Sequence, residues 1–175
     1  MKSKSVIIAL LLIAGVALVI FSISLRSTGK AVVEGLHAPE LEVIDHSSGK
    51  KLLPSDLKGR VLFVNFWASW CQPCKDEMPS IEALHREMFV NDKFRMITIL
   101  YKDSLQNALE YMGGSGYTFP VYSDLKDYSS KNYGVTGVPE TYLVDKKGIL
   151  RKRIIGPFEW NSPDAKSFIV SLLNE

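Results

Sequence analysis

Both cysteines of the chain lie in Trp70-Cys71-Gln72-Pro73-Cys74-Lys75, two residues apart. Thiols at this spacing can close a small disulfide ring and open it again. The pair follows a strand-like run, Val61–Phe66, and begins a helix-like one. At a helix N-terminus the unpaired backbone N–H groups and the helix dipole favour thiolate over thiol. Spacing and placement together describe a dithiol that cycles between reduced and oxidised forms. Two other uses of the pair stay open. A structural disulfide usually spans a longer loop, because closing two residues removes little entropy from the unfolded chain. Zinc needs about four ligands, and the chain adds only His37, His46 and His85, which are scattered. No metal is expected.

The neighbours of the pair carry further chemistry. Cys71, at the exposed helix start, is the expected nucleophile, and Cys74, one turn in, the buried resolving thiol. Gln72 and Pro73 shape the turn, and Pro also suits an early helical position. Trp67 reads as core packing and Trp70 as a surface platform beside the site. Glu77 falls three residues after Cys74 on the same helical face. A half-buried carboxylate there could relay a proton during exchange; a solvated helix acid is the alternative. Val138-Pro139 is the best candidate for a cis peptide, since only an X–Pro bond takes cis at modest cost. Glu140 beside it either lines the same cleft or is an exposed loop acid.

The chain has 175 residues, 46% hydrophobic and 23% charged, enough for one domain of ordinary size and a tail. Val6–Leu25 holds no charge across its whole length, long enough to span a bilayer as a helix. It reads as an uncleaved anchor over 1–25, with a cleaved signal peptide second, because Ser22-Ile23-Ser24 is a poor cleavage site. No cysteine follows it closely, which excludes a lipoprotein anchor. Lys2 and Lys4 before it and Arg26 and Lys30 after it give little orientation bias. With the N-terminus inside, residues 31–175 lie outside the cytoplasm, where a disulfide can persist. A tether follows over 26–36, and the domain covers 37–175. After residue 30 there are 17 basic against 19 acidic residues, a net −2. No basic run with interleaved aromatics appears, and no nucleic acid is expected. Arg151-Lys152-Arg153 reads as the solvated face of an edge strand.

Leu41–Ile44 alternates as a strand and Lys51–Leu53 completes a hairpin across Ser47-Ser48-Gly49. Val61–Phe66 is a nearly continuous apolar run, expected of a central strand buried on both faces. A helix spans Cys71–Phe89 with Ile81, Leu84, Met88 and Phe89 inward and Pro79 inside it. Arg95–Tyr101 is a second buried strand. A helix over Ser104–Met112 ends at Gly113-Gly114-Ser115-Gly116. Phe119–Tyr122 is a short extended piece and Asp127–Tyr133 a helical turn. Thr141–Asp145 and Ile149–Ile155 form a hairpin, and Ser162 caps a last helix to Leu173. This order gives a mixed sheet with helices on both faces, an α/β fold.

Ala38-Pro39, Asn65-Phe66-Trp67-Ala68-Ser69-Trp70-Cys71-Gln72-Pro73-Cys74, Glu77 with Pro79, and Gly137-Val138-Pro139-Glu140-Thr141 together resemble the thioredoxin superfamily. They resemble more narrowly its membrane-tethered TlpA/ResA-like branch, which includes the CcmG/DsbE proteins. The resemblance covers residues 37–175. It implies a thioredoxin-like fold with an N-terminal β-hairpin extension and a central strand–helix insert before Gly134. It implies thiol–disulfide exchange outside the cytoplasm, with no cofactor beyond the Cys71–Cys74 pair. The Val138-Pro139 loop would face the pair and leave the Val138 backbone free for a substrate strand. Ordinary thioredoxins carry a buried Asp where Asn65 stands, and the resemblance gives Glu77 the proton-relay role. Trp70, Gln72, Pro73, Val138 and Glu140 would meet substrate. The implied partners are protein disulfides, chiefly the CxxCH disulfide of apocytochrome c, and a membrane thiol donor of the CcdA/DsbD kind. A general envelope reductase or isomerase is the alternative. A peroxiredoxin would need Pro and Ser or Thr where Val64 and Ala68 stand. A copper-binding assembly factor would need a downstream His, and none follows His85. A non-catalytic domain would have no use for intact Cys71, Cys74 and Pro139.

Overall fold

The computed structural model describes residues 13–16, 18 and 32–175. The chain divides into two units, Met1–Ala31 and Val32–Glu175. In the first, residues 13–16 and 18 are helical. The expected span Val6–Leu25 lies largely outside the described residues, and among these no helix is long and apolar enough to cross a membrane.

The second unit is built on a six-stranded mixed sheet. Its strands are β1 (Val43–Asp45), β2 (Val61–Trp67), β3 (Phe94–Leu100), β4 (Val121–Asp124), β5 (Glu140–Val144) and β6 (Leu150–Ile155), in the order β1-β4-β3-β2-β5-β6. β2, β3 and β4 run parallel, while β1, β5 and β6 join antiparallel. β2 is central and wholly buried, as its apolar run requires. Its alternate residues feed two cores. Val61, Phe63 and Trp67 meet α2 (Gln72–Met88), α3 (Leu105–Ser115) and α5 (Pro163–Asn174) on one face. Leu62, Val64 and Phe66 meet Tyr133, Tyr142 and Val144 on the other. The short helices α1 (Pro54–Leu57) and α4 (Tyr128–Asn132) complete the set.

Four local expectations are corrected. The hairpin partner of β1 is shorter than expected: Ile44 bridges Lys51, the Asp45 N–H donates to Lys50 O (2.9 Å) and the Leu52 N–H to Val43 O (2.9 Å). Pro54 has no N–H to continue the ladder and begins α1 instead. β1 pairs with β4, so the extended piece near Tyr122 is a full sheet strand. Phe89 is 67% exposed: Met88 takes the inward position, and the next helical residue is turned by about 100°. α3 runs through Gly113 and Gly114 to Ser115, and Gly116 closes it at φ +71°, a conformation that suits glycine. Gly35 and Leu36, at the end of the expected tether, are docked. The N–H of Gly35 donates to Leu150 O (2.7 Å), that of Leu150 to Leu36 O (2.8 Å), and that of Ala38 to Gly148 O (2.9 Å). These bonds cover the start of β6 on its open edge.

Arg151-Lys152-Arg153 is not a uniformly solvated face. Strand alternation leaves Lys152 exposed, while Arg151 pairs with Asp145 at 3.1 Å and Arg153 with Glu140 at 2.5 Å.

Glu82 ties α2 to the segment before β4. It accepts the N–H of Thr118 (2.8 Å), the Thr118 hydroxyl (2.7 Å), the N–H of Phe119 (3.1 Å) and Arg86 Nε (2.7 Å). Burial works to raise its proton affinity, but these donors win and hold the carboxyl below the usual range. Its contribution is therefore present at neutral pH and fades as pH falls below the ordinary carboxylate range. Glu82→Ala strands two backbone donors and is expected to cost about 2–4 kcal/mol in urea unfolding at pH 7, and less at pH 3.

Candidate active site

β2 ends at Trp67, and the chain turns through Ala68-Ser69-Trp70 into α2. The β3–α3 connection grips this turn. Tyr101 N–H donates to Trp67 O (2.8 Å), Ser69 N–H to Asp103 Oδ2 (2.6 Å), and Trp70 Nε1 to Lys102 O (3.2 Å). Trp70 is held this way yet is 59% exposed. Trp67 is fully buried against Phe119 and Tyr111.

Cys71 is the N-cap of α2, and the N–H of Cys74 donates to its sulfur at 3.1 Å. Gln72 and Pro73 occupy the first helical positions and are exposed. The two sulfurs are joined in a disulfide, S–S 2.10 Å. Cys74 is wholly buried, as its place one turn in requires. Cys71 is only 4% exposed, which corrects the expected open tip. Its sulfur is turned inward to Cys74, and the carbonyl oxygen of Val138 roofs it at 3.4 Å. A thiolate in that place would keep the Cys74 N–H and the helix dipole as stabilisers.

The Val138–Pro139 peptide bond is cis. Pro139 is buried and Val138 half-buried, and no described residue accepts the Val138 N–H. Glu140 begins β5 and turns away from the sulfurs into the opposite core. Its Oε1 accepts from Tyr142 OH (2.7 Å) and Arg153 Nε (2.5 Å). That carboxylate is engaged within the fold.

Glu77 is 2% exposed, one turn beyond Cys74. Its Oε1 accepts from Asn65 Nδ2 (2.9 Å), and its Oε2 from the Phe158 N–H (3.1 Å) and Trp160 Nε1 (3.4 Å). Burial pushes this carboxyl up to about 7, against the opposing pull of those donors. It can therefore hold or release a proton near neutral pH. Asn65 also donates to Thr141 Oγ1 (2.8 Å), while its own Oδ1 is buried and unpartnered among the described residues.

The fold thus brings Trp70, Cys71, Gln72, Pro73, Cys74, Glu77, Val138 and Pro139 to one end of the sheet, and leaves Glu140 behind it. Phe158, Trp160 and Asp103 were not singled out by the sequence as site residues. The signal that could have flagged the first two is a pair of aromatics in a short connection opened by Gly156-Pro157.

Residues 35–153 match the family model described as AhpC/TSA. The chain belongs to the AhpC/TSA family. It is 31% identical over 150 residues to the thiol-disulfide oxidoreductase ResA of Geobacillus thermodenitrificans, covering 86% of this chain and 84% of that one. It is 36% identical over 125 residues to the thiol:disulfide interchange protein DsbE of Allochromatium vinosum, covering 70% and 66%. A Chlorobium tepidum structure assigned as a DsbE superposes with TM-score 0.70 at 23% identity, covering 82% of this chain and 99% of that one. The fold is thioredoxin-like, and the protein is an enzyme of the thiol–disulfide oxidoreductase class. The positions that a peroxiredoxin motif would fill with Pro and Ser or Thr are Val64 and Ala68, both buried.

Proposed function

We propose that this family member is a membrane-tethered, extracytoplasmic dithiol reductant of protein disulfides, acting on the CxxCH disulfide of apocytochrome c. The observation that carries the reading is the Cys71 sulfur under the carbonyl of a cis-proline loop whose preceding N–H is unengaged. An extended substrate segment would pair with the Val138 backbone as an added strand and so present its disulfide to Cys71. Trp70, Gln72 and Pro73 line the approach. The uncharged run Val6–Leu25 supports the tether and the placement outside the cytoplasm.

The Cys71 thiolate attacks one sulfur of the substrate disulfide; the S–S bond breaks, and the other substrate sulfur leaves as thiolate. Cys74 gives its proton to ionised Glu77 and attacks the Cys71 sulfur. The mixed disulfide breaks, the second substrate sulfur is released, and Glu77 returns the proton. Two electrons pass to the substrate and the Cys71–Cys74 disulfide forms. A membrane dithiol donor of the CcdA/DsbD kind reduces it again. The pair is its own redox carrier and needs no cofactor.

Cys74→Ser stops the second step. Expressed in its own envelope, that variant is expected to accumulate a reductant-sensitive adduct through Cys71, with a c-type apocytochrome as the captured chain. Capture of unrelated envelope proteins instead would favour a general reductase. A redox titration giving a strongly oxidising potential would reverse the assigned direction.

A further inference from the structure

The connection between β6 and α5, Gly156–Trp160, joins two parts of the site. At one end the Gly156 N–H donates to Pro139 O at 2.9 Å, with Gly156 at φ +92°, which favours glycine. At the other end the Phe158 N–H and the Trp160 indole N–H both donate to Glu77 Oε2. Ser80 locks this end to α2: its hydroxyl donates to Glu77 O (2.7 Å) and accepts the Trp160 N–H (3.0 Å). Trp160 is 1% exposed and packed edge-on against Phe63, ring centroids 4.7 Å apart, so its indole has little freedom to turn. Phe158 lies over it at 4.9 Å and reaches solvent.

We propose that Trp160 is a positioning residue of the exchange reaction: its indole N–H, with the Phe158 amide, seats the Glu77 carboxylate beneath Cys74 so that it can take and return the proton exchange moves. The proposal rests on the dithiol-exchange reading and adds a residue to it. A buried carboxylate with no donors stays protonated and cannot accept from a thiol. The groups that hold Glu77 are all neutral: Asn65 from β2, and Phe158 and Trp160 from the loop. Among the described residues no charged group adds to the burial and hydrogen bonds that set its proton affinity. Hydrogen bonds are therefore what opposes burial, and the loop supplies both donors to one of the two oxygens. The Pro139–Gly156 bond makes the same connection a neighbour of the docked substrate strand.

The sign follows from the donors. Each favours the ionised form, so removing one raises the pH at which Glu77 ionises. Trp160→Phe keeps a ring against Phe63 and deletes the indole N–H. It should raise the Glu77 transition, followed by carbon NMR of the side-chain carboxyl in the oxidised protein, by roughly 0.5–1 pH unit. The pH profile of disulfide reduction should move up by the same amount. In a Glu77→Gln background, Trp160→Phe should move nothing in that profile. A purely structural role for Trp160 would lower the unfolding temperature and leave both midpoints in place.

The unmutated chain supplies a readout that does not depend on the variant folding. The Trp160 indole proton resonance should titrate with the same midpoint as Glu77, and stop doing so in Glu77→Gln. An indole signal blind to that transition, or a Trp160→Phe midpoint equal to the wild-type one, overturns the assignment. Failure of the wild-type protein to reduce a disulfide at any pH would sink the exchange reading, and this role with it. Turnover with an unmoved midpoint sinks this inference alone.

Discussion

Cys71→Ser is expected to lower reduction of insulin disulfides by on the order of 10⁴-fold, the scale lost when a covalent nucleophile is removed. The fold should survive. Serine is a good N-cap, and its Oγ can accept the Cys74 N–H as the sulfur does now. Opening the ring costs unfolding stability only relative to the oxidised protein, by about 2 kcal/mol for so short a loop. Against the reduced protein the difference should nearly vanish. Circular dichroism and urea unfolding of all three forms make the separation: a large kinetic loss with native spectra. Residual turnover within tenfold of wild type would mean that Cys71 is not the attacking group.

Glu77→Gln should lower the exchange rate and flatten the fall of stability with pH. Loss of a positioned proton acceptor lowers exchange by about 10²-fold at neutral pH and flattens its pH dependence. The carboxyl is raised from 4.5 to about 7 in the fold, so folding binds its proton more tightly than the unfolded chain does. That contribution is fully present below pH 4.5 and is lost as pH rises through 7. The swing is on the order of 3 kcal/mol. Wild type should therefore weaken between pH 5 and 8 by more than Glu77→Gln does. The amide brings its own cost, since its NH₂ must face one of the donors from Asn65, Phe158 or Trp160. The comparison of slopes removes that constant. Parallel stability curves would show that Glu77 does not titrate in the fold.

The parts of the site that carry their own local signal were legible, and the contacts that distant segments make with one another were not. Cys71 and Cys74 are marked by spacing, β2 by its unbroken apolar run, and the Val138–Pro139 turn by the one chemistry that tolerates cis. The surroundings of Glu77 were not readable, because Phe158 and Trp160 stand 81 and 83 residues away. No periodicity relates a loop to a helix across the sheet. Glu140 had the same difficulty. Its proximity to Pro139 suggested the cleft, but strand alternation turns it toward Tyr142, where Arg153 meets it. That arginine looked like surface charge until its cross-strand partner was placed. β4 was underestimated because a four-residue strand carries too few residues to show a pattern.

Gly35–Ala38 pair with Gly148–Leu150 at the start of β6. Those residues occupy backbone groups of Gly148 and Leu150, and the carboxylate of Glu34 takes the Arg153 N–H at 2.8 Å. A shortened chain starting at Pro39 would bare those groups at the start of β6 and the Arg153 N–H within it, on a strand whose far end, Ile155, is already 74% exposed. Bare edge backbone next to an apolar side chain templates another copy of itself. Such a truncation should self-associate through β6 into head-on dimers or larger aggregates, and sedimentation would register the change before any assay of turnover did.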